Sequence, residues 1–261
     1  MSSTSSILSH FLRTPPPGHT THAYLIPNFR GLENFLAQKP DLKRTEIAAF
    51  ASASEGFSQR NLGCGVEESL ERFERVVGAV REVFRVRGYV SMVVGCPYDG
   101  PTDVKEVSRV VRRLLDMGCY EVSLGDTVGI ARPAEIRKLI RALREDGVPV
   151  ERLAGHFHDT YGMAVANVAA AMEEGVRVFD ASVAGLGGCP YAKGASGNLA
   201  TEDLVYFLEG EGVKTGVDLD GLAETGSWIS GVLGRANSSS VGRALEGKRM
   251  ASKRKEGEAK L

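Results

Sequence analysis

Leu153-Ala154-Gly155-His156-Phe157-His158-Asp159-Thr160-Tyr161-Gly162 is an apolar run that closes on two histidines and a turn, and Met163-Ala164-Val165-Ala166-Asn167-Val168-Ala169-Ala170-Ala171-Met172 continues it with the pattern of a helix. A strand end feeding a helix is one unit of an α/β fold. Along a strand, residues i and i+2 point to one face, so His156 and His158 project together. Two imidazoles side by side at a strand end can hold one metal ion. In an apolar interior each would instead need its own hydrogen-bond partner, and from this stretch alone both readings stand.

The same unit repeats on either side. Tyr24-Leu25-Ile26, Ile47-Ala48-Ala49-Phe50-Ala51 and residues 86–94, 120–124, 153–158 and 178–183 are short apolar runs with strand character. Helices fill the gaps: Val66, Leu70, Phe73, Val77, Val80 and Phe84 recur every three or four residues and form one apolar stripe. Thr102 is the expected N-cap of the next helix, and Gly118 its left-handed end. Pro133 opens another, with Ile136, Leu139, Ile140 and Leu143 facing inward. Alternating strand and helix implies parallel strands with right-handed crossovers. Strand starts near 23, 47, 86, 120, 153 and 178 are about 31 residues apart on average, the period of an eight-unit barrel. Six units are visible, so the expected class is α/β, a TIM-type parallel (β/α) barrel that is incomplete, with about six of eight βα units.

Composition narrows the function classes. With 32 basic and 33 acidic residues among 261, the chain has no overall field to attract nucleic acid or anionic lipid, so a small-molecule partner is expected. No apolar run approaches the ~20 residues of a membrane-spanning helix, and no membrane insertion is expected. Cys64, Cys96, Cys119 and Cys189 lack zinc-ribbon spacing, and a chain of this size needs no disulfide framework. Residues 1–22 are rich in Ser, Thr and Pro and carry no acid, a composition that predicts disorder and weakly resembles a mitochondrial transit peptide. The expected organisation is therefore a disordered segment over 1–22, a partial barrel over 23–240 and a charged tail over 241–261.

Three further stretches carry chemistry. Asp126, in Val122-Ser123-Leu124-Gly125-Asp126-Thr127, lies at the C-terminal end of a strand, where barrel enzymes build their sites; an aspartate there also serves as a helix cap. Ala184-Gly185-Leu186-Gly187-Gly188-Cys189-Pro190-Tyr191 is a glycine-rich loop that permits close approach to a ligand. Cys189 at its tip is either a reactive thiol or an inert one. Asn198 then offers a carbonyl oxygen before a helix, with Glu202 one turn on.

Together, His156-Phe157-His158-Asp159-Thr160-Tyr161-Gly162, Ser123-Leu124-Gly125-Asp126-Thr127, the glycine-rich loop, Gly194-Ala195-Ser196-Gly197-Asn198-Leu199-Ala200-Thr201-Glu202-Asp203, Gly95-Cys96-Pro97-Tyr98 and Arg87-Gly88-Tyr89-Val90-Ser91 resemble the 3-hydroxy-3-methylglutaryl-CoA lyases. The resemblance runs from about Leu25 to about Val241. Condensing enzymes of the same superfamily usually carry Asn-Asp after the metal histidines, where this chain has Asp159-Thr160, which favours the lyases. The resemblance implies a divalent cation, Mg²⁺ or Mn²⁺, on His156, His158 and Asn198, mixed nitrogen and oxygen donors that suit such an ion. It implies proton transfer by Cys189, Asp126 and His156, support from Glu202, and a CoA-phosphate contact at Arg235. The implied reaction cleaves 3-hydroxy-3-methylglutaryl-CoA to acetyl-CoA and acetoacetate.

Members of that family begin with a strand bearing an Arg-Asp pair and a second strand bearing a Glu. Neither has a counterpart before Tyr24, which leads to the expectation of a barrel short of two strands and of a chain that is inactive or nearly so. A non-catalytic partner of an intact subunit and a Claisen-condensing acyltransferase are the alternatives. A homodimer is expected if the barrel is complete. Ala259-Lys260-Leu261 resembles a peroxisomal tripeptide, giving the peroxisome as the expected address, and the family resemblance adds the mitochondrial matrix.

Overall fold

Ten α-helices and eight strands occur among the described residues of the structure, a computed structural model that describes residues 4–15, 18, 20–188 and 197–258, with side chains described as far as residue 252. The strands are β1 (His22–Leu25), β2 (Thr45–Ser52), β3 (Arg85–Ser91), the short β4 (Gly95–Cys96) and β5 (Gly100–Pro101), β6 (Glu121–Asp126), β7 (Leu153–Phe157) and β8 (Val178–Asp180). The helices are α1 (Thr4–Arg13), α2 (Phe29–Leu36), α3 (Glu55–Leu62), α4 (Val66–Val80), α5 (Val104–Met117), α6 (Pro133–Glu145), α7 (Ala164–Glu173), α8 (Thr201–Gly210), α9 (Leu219–Val232) and α10 (Ser240–Glu258). Among the described residues no helix is long and apolar enough to cross a membrane.

Six strands form one parallel sheet in the order β1-β2-β3-β6-β7-β8, and β4 and β5 make a small antiparallel ladder beside it. The alternation of side chains along each strand sorts two environments. One face carries Ile47, Val86, Val90, Val122, Leu124, Leu153 and Phe157, all buried in a single core with the apolar stripes of α4, α5 and α6. Each such side chain contributes roughly 1.5–3 kcal/mol on burial. The other face carries Glu46, which accepts from the Tyr120 hydroxyl, and Arg87, Tyr89, Glu121, Ser123, His156 and Asp180, which are joined by hydrogen bonds. Arg87 on β3 reaches Asp180 on β8 at 2.6 Å. In a flat sheet these strands, three places apart, would be separated by roughly 14 Å. The sheet therefore curls around its polar face as a half-barrel, with β1 and β8 as edges.

Several expectations need correction. The Ser-, Thr- and Pro-rich start holds helix α1, with Leu8 buried and the Phe11 ring stacked on His22 at 4.2 Å. Ile7, Leu8, Phe11 and Leu12 supply a helical apolar stripe that average composition conceals. The charged tail is helical through Glu258; Asp203 accepts from Ser240 N at 3.2 Å and Val241 N at 2.8 Å and so caps α10. Asp103, not Thr102, caps α5 by accepting from Lys105 N at 2.9 Å. Thr102 instead donates to Met92 O at 2.6 Å. Strand β3 stops at Ser91 because Met92 takes a left-handed φ of 61°, which breaks the ladder. Gly118, with φ 113°, ends α5 as expected, and Pro133 opens α6. Ala259-Lys260-Leu261 lies outside the described residues.

Candidate active site

The C-terminal ends of β3, β6 and β7 open into a cavity of about 710 Å³, whose wall includes Phe50, Thr127, His156, His158, Gly187 and Asn198. His156 sits near the end of β7 and His158 just beyond it, with ring centroids 5.3 Å apart. The β-alternation therefore does bring the two imidazoles together. Their outward nitrogens are fixed by what the inward ones do. His158 Nδ1 lies 3.1 Å from the backbone carbonyl of Asp126, and His156 Nδ1 lies 3.1 Å from Asp180 Oδ2. An amide carbonyl and a carboxylate only accept, so each Nδ1 carries a hydrogen, and a neutral ring in either place keeps its lone pair on Nε2. Burial, and secondarily the neighbouring His156, pushes the His158 pKa down to about 4, which keeps this ring neutral and able to ligate.

Asn198 completes the group. It pairs with His158 in an isolated antiparallel bridge, and its Nδ2 donates to Leu186 O at 2.9 Å. The other amide atom, Oδ1, is buried with no hydrogen-bond partner among the described residues. A buried amide oxygen without a donor costs about 1–3 kcal/mol, and a cation is one group that would satisfy it. Two imidazole nitrogens and one amide oxygen thus fit a divalent cation. Among the described residues no group of three His, Cys, Asp or Glu side chains is placed to hold a metal ion, and the three candidate donors, two imidazoles and an amide, carry no negative charge.

Glu202 holds the glycine-rich loop at its root. Its side chain is buried, and both carboxylate oxygens accept from Ala184 N, at 3.0 and 2.9 Å. Ala184 adopts φ 55°, an uncommon conformation for a residue with a Cβ, and Ser238 N binds its carbonyl at 3.2 Å. Further along, Gly187 has φ 103°, and a Cβ there would overlap Asn198 Nδ2, so the loop can approach Asn198 only as glycine.

The remaining expected residues fall in different places. Asp126 is buried, and its carboxylate accepts from Ile130 N at 3.1 Å and Ala131 N at 3.0 Å, capping the turn before α6. Burial outweighs those bonds and raises its pKa to about 6. It meets the histidine pair through its backbone carbonyl, while the carboxylate beside His156 is that of Asp180. Arg235 folds back on its own turn and donates to Ser238 Oγ at 2.8 Å. Cys189 lies outside the described residues; Gly187 and Gly188, the two before it in sequence, line the cavity.

Sequence reasoning passed over Asp180, Ser123 and the ion pairs of Arg87. Arg87 binds Glu121 at 2.7 Å and Asp180 at 2.6 Å, and Ser123 Oγ donates to Asp180 at 2.6 Å. Burial opposes ionisation of Asp180, but the His156 hydrogen bond and the Arg87 charge prevail and lower its pKa. The available signal was a polar residue at alternate positions of apolar strands, namely 87 and 89, 121 and 123, and 180.

The family model described as HMGL-like matches residues 20–229. A "3-hydroxy-3-isohexenylglutaryl-CoA/hydroxy-methylglutaryl-CoA lyase" of Pseudomonas aeruginosa is 54% identical over 230 residues, which span 88% of this chain and 75% of the relative. The mitochondrial hydroxymethylglutaryl-CoA lyase of Gallus gallus is 49% identical over 229 residues, 87% of this chain and 75% of its own. The crystal structure of a hydroxymethylglutaryl-CoA lyase from Pseudomonas aeruginosa superposes with a TM-score of 0.87 at 50% identity, covering 95% of this chain and 80% of that one. With a parallel half-barrel whose strand ends gather two histidines and an asparagine, this chain belongs to the HMGL-like family, among its hydroxymethylglutaryl-CoA lyases.

Proposed function

We propose that this site serves the metal-dependent cleavage of 3-hydroxy-3-methylglutaryl-CoA to acetyl-CoA and acetoacetate, with Mg²⁺ or Mn²⁺ held by His156 Nε2, His158 Nε2 and Asn198 Oδ1. The observation that carries the reading is the buried Asn198 Oδ1, without a partner among the described residues, on a residue that lines one cavity with two histidines whose Nδ1 atoms are already engaged. When bound, a divalent cation there supplies Lewis-acid polarisation of substrate oxygens.

The reaction itself is a retro-Claisen cleavage. A base removes the proton of the 3-hydroxyl, the C2–C3 bond breaks as the 3-oxygen becomes a ketone, and the electron pair moves onto C2 as the acetyl-CoA enolate. An acid then protonates C2. His156, facing the cavity, and Cys189, which follows Gly187 and Gly188 of its wall in sequence, are the proposed proton carriers. Asp126 contributes by fixing the turn and, through its carbonyl, the orientation of His158. Glu202 holds the loop that shapes the cavity rim. Arg235, tied to the turn that anchors Ala184, is proposed as a contact for the CoA phosphates.

The test is Mn²⁺ binding by titration calorimetry together with acetoacetate release from 3-hydroxy-3-methylglutaryl-CoA, in the unsubstituted protein and in His158→Ala. Saturable Mn²⁺ binding and cation-dependent acetoacetate release, both lost in His158→Ala, support the reading. Unchanged Mn²⁺ affinity in the variant overturns it.

A further inference from the structure

The established family assignment leaves Asp180 without a role. It stands on β8 as the Cα partner of His156 on β7, so strand register alone places the carboxylate beside the imidazole. The carboxylate is then immobilised from three directions. Arg87 Nη1 donates to Oδ1 at 2.6 Å, Ser123 Oγ donates to Oδ2 at 2.6 Å, and His156 Nδ1 donates to the same Oδ2 at 3.1 Å. Arg87 is in turn held by Glu121 Oε1 at 2.7 Å and Tyr89 OH at 2.7 Å, and the Tyr89 ring stands edge-on to His156 with centroids 6.4 Å apart. Strands β3, β6 and β8 therefore converge on one carboxylate whose outward contact is the histidine.

We propose that Asp180 is the positioning residue for His156: it fixes the ring's rotation and its Nδ1–H tautomer, so that the Nε2 lone pair faces the cavity. An ionised carboxylate can only accept, which leaves the ring one way to bind it. A ligand whose tautomer and direction are set beforehand loses less freedom on binding, and such supporting carboxylates are worth about 10- to 100-fold in metal affinity. The shared network assigns Arg87 and Ser123 the task of holding Asp180 in place, and it explains why a charged cluster persists on the inner face of the sheet.

The deciding experiment is long-range ¹H–¹⁵N correlation of histidine-labelled, metal-free protein at a pH where the ring is neutral, with His156→Gln identifying the signal. The unsubstituted protein must show His156 with its proton on Nδ1; an Nε2–H ring there overturns the proposal without any variant. In folded Asp180→Asn the ring is expected to shift towards the Nε2–H form, with Asp180→Glu restoring Nδ1–H in part, and an unchanged tautomer in Asp180→Asn overturns the proposal. The accompanying Mn²⁺ titration is expected to show about 10- to 100-fold weaker binding in Asp180→Asn. The inference draws on the metal reading for this last measurement only. If the unsubstituted protein binds no Mn²⁺, the metal reading fails, while the tautomer still decides the role of Asp180.

Discussion

Asn198 and His158 face one another across an isolated antiparallel bridge, and the amide is oriented by a 2.9 Å bond from Nδ2 to Leu186 O, while Oδ1 is buried with no donor among the described residues. The glycine-rich loop thus sets the direction of a donor atom that lies 12 residues further along the chain.

Substitution of Asn198 separates affinity from stability. Asn198→Ala removes one satisfied donor and one unsatisfied acceptor, and the two changes oppose each other in the folded state. The expected cost in stability is within about 1 kcal/mol, while Mn²⁺ affinity falls at least about tenfold. Denaturant unfolding and calorimetry on the same sample give both quantities.

Cation and substrate are expected to bind cooperatively. The proposed ligands are two imidazoles and an amide, none of them anionic, so on that reading the oxygens of the substrate would provide opposing charge. Titration of Mn²⁺ with and without 3-hydroxy-3-methylglutaryl-CoA under non-turnover conditions is expected to differ by about 5- to 150-fold, and substrate affinity by the same factor with and without Mn²⁺. Equal affinities would show that the two bind independently.

Glu202 has a stability signature of its own. Glu202→Ala leaves Ala184 N without its acceptor and opens a void beside Gly226, so a loss of about 2–4 kcal/mol is expected in chemical denaturation. Burial raises the pKa of Glu202, so the folded state holds a proton more tightly than the unfolded state does. Its contribution is therefore most favourable below the ordinary glutamate value and declines as pH rises through the folded pKa. Glu202→Gln keeps an acceptor for Ala184 N and removes that slope, which unfolding curves measured across pH 4 to 7 would reveal.

Cys119 is expected to stay silent in thiol chemistry. It is fully buried, and burial pushes its pKa up to about 12 against the opposing charge of Arg152. Native protein treated with iodoacetamide at pH 8 should leave Cys119 unmodified, and denatured protein should expose it. Mass spectrometry of the digests distinguishes the two, and a silent Cys119 removes one background thiol from any measurement on Cys189.

The period of apolar runs was enough to determine the strand–helix alternation, and with it the parallel sheet, because β6 and β7 are almost wholly buried on both faces while α4 and α6 each bury one apolar stripe. The pairing of His156 with His158 was equally legible, since a two-residue spacing on a strand fixes a common direction without reference to the rest of the chain. Helix α1 was not, because its four apolar residues are diluted by Ser and Pro in any composition average. The direction in which Asp126 points was open too: a carboxylate at a strand end can turn towards the cavity or back onto the N–H groups of Ile130 and Ala131, and the following turn selects the second. Asp180 depended entirely on tertiary structure. Its contacts join residues 24, 57 and 93 positions apart, and they exist only because the register of β3, β6, β7 and β8 and the curl of the sheet bring four side chains to one point. Periodicity says which face a side chain takes; which neighbour it meets there is decided by how far each strand slides against the next.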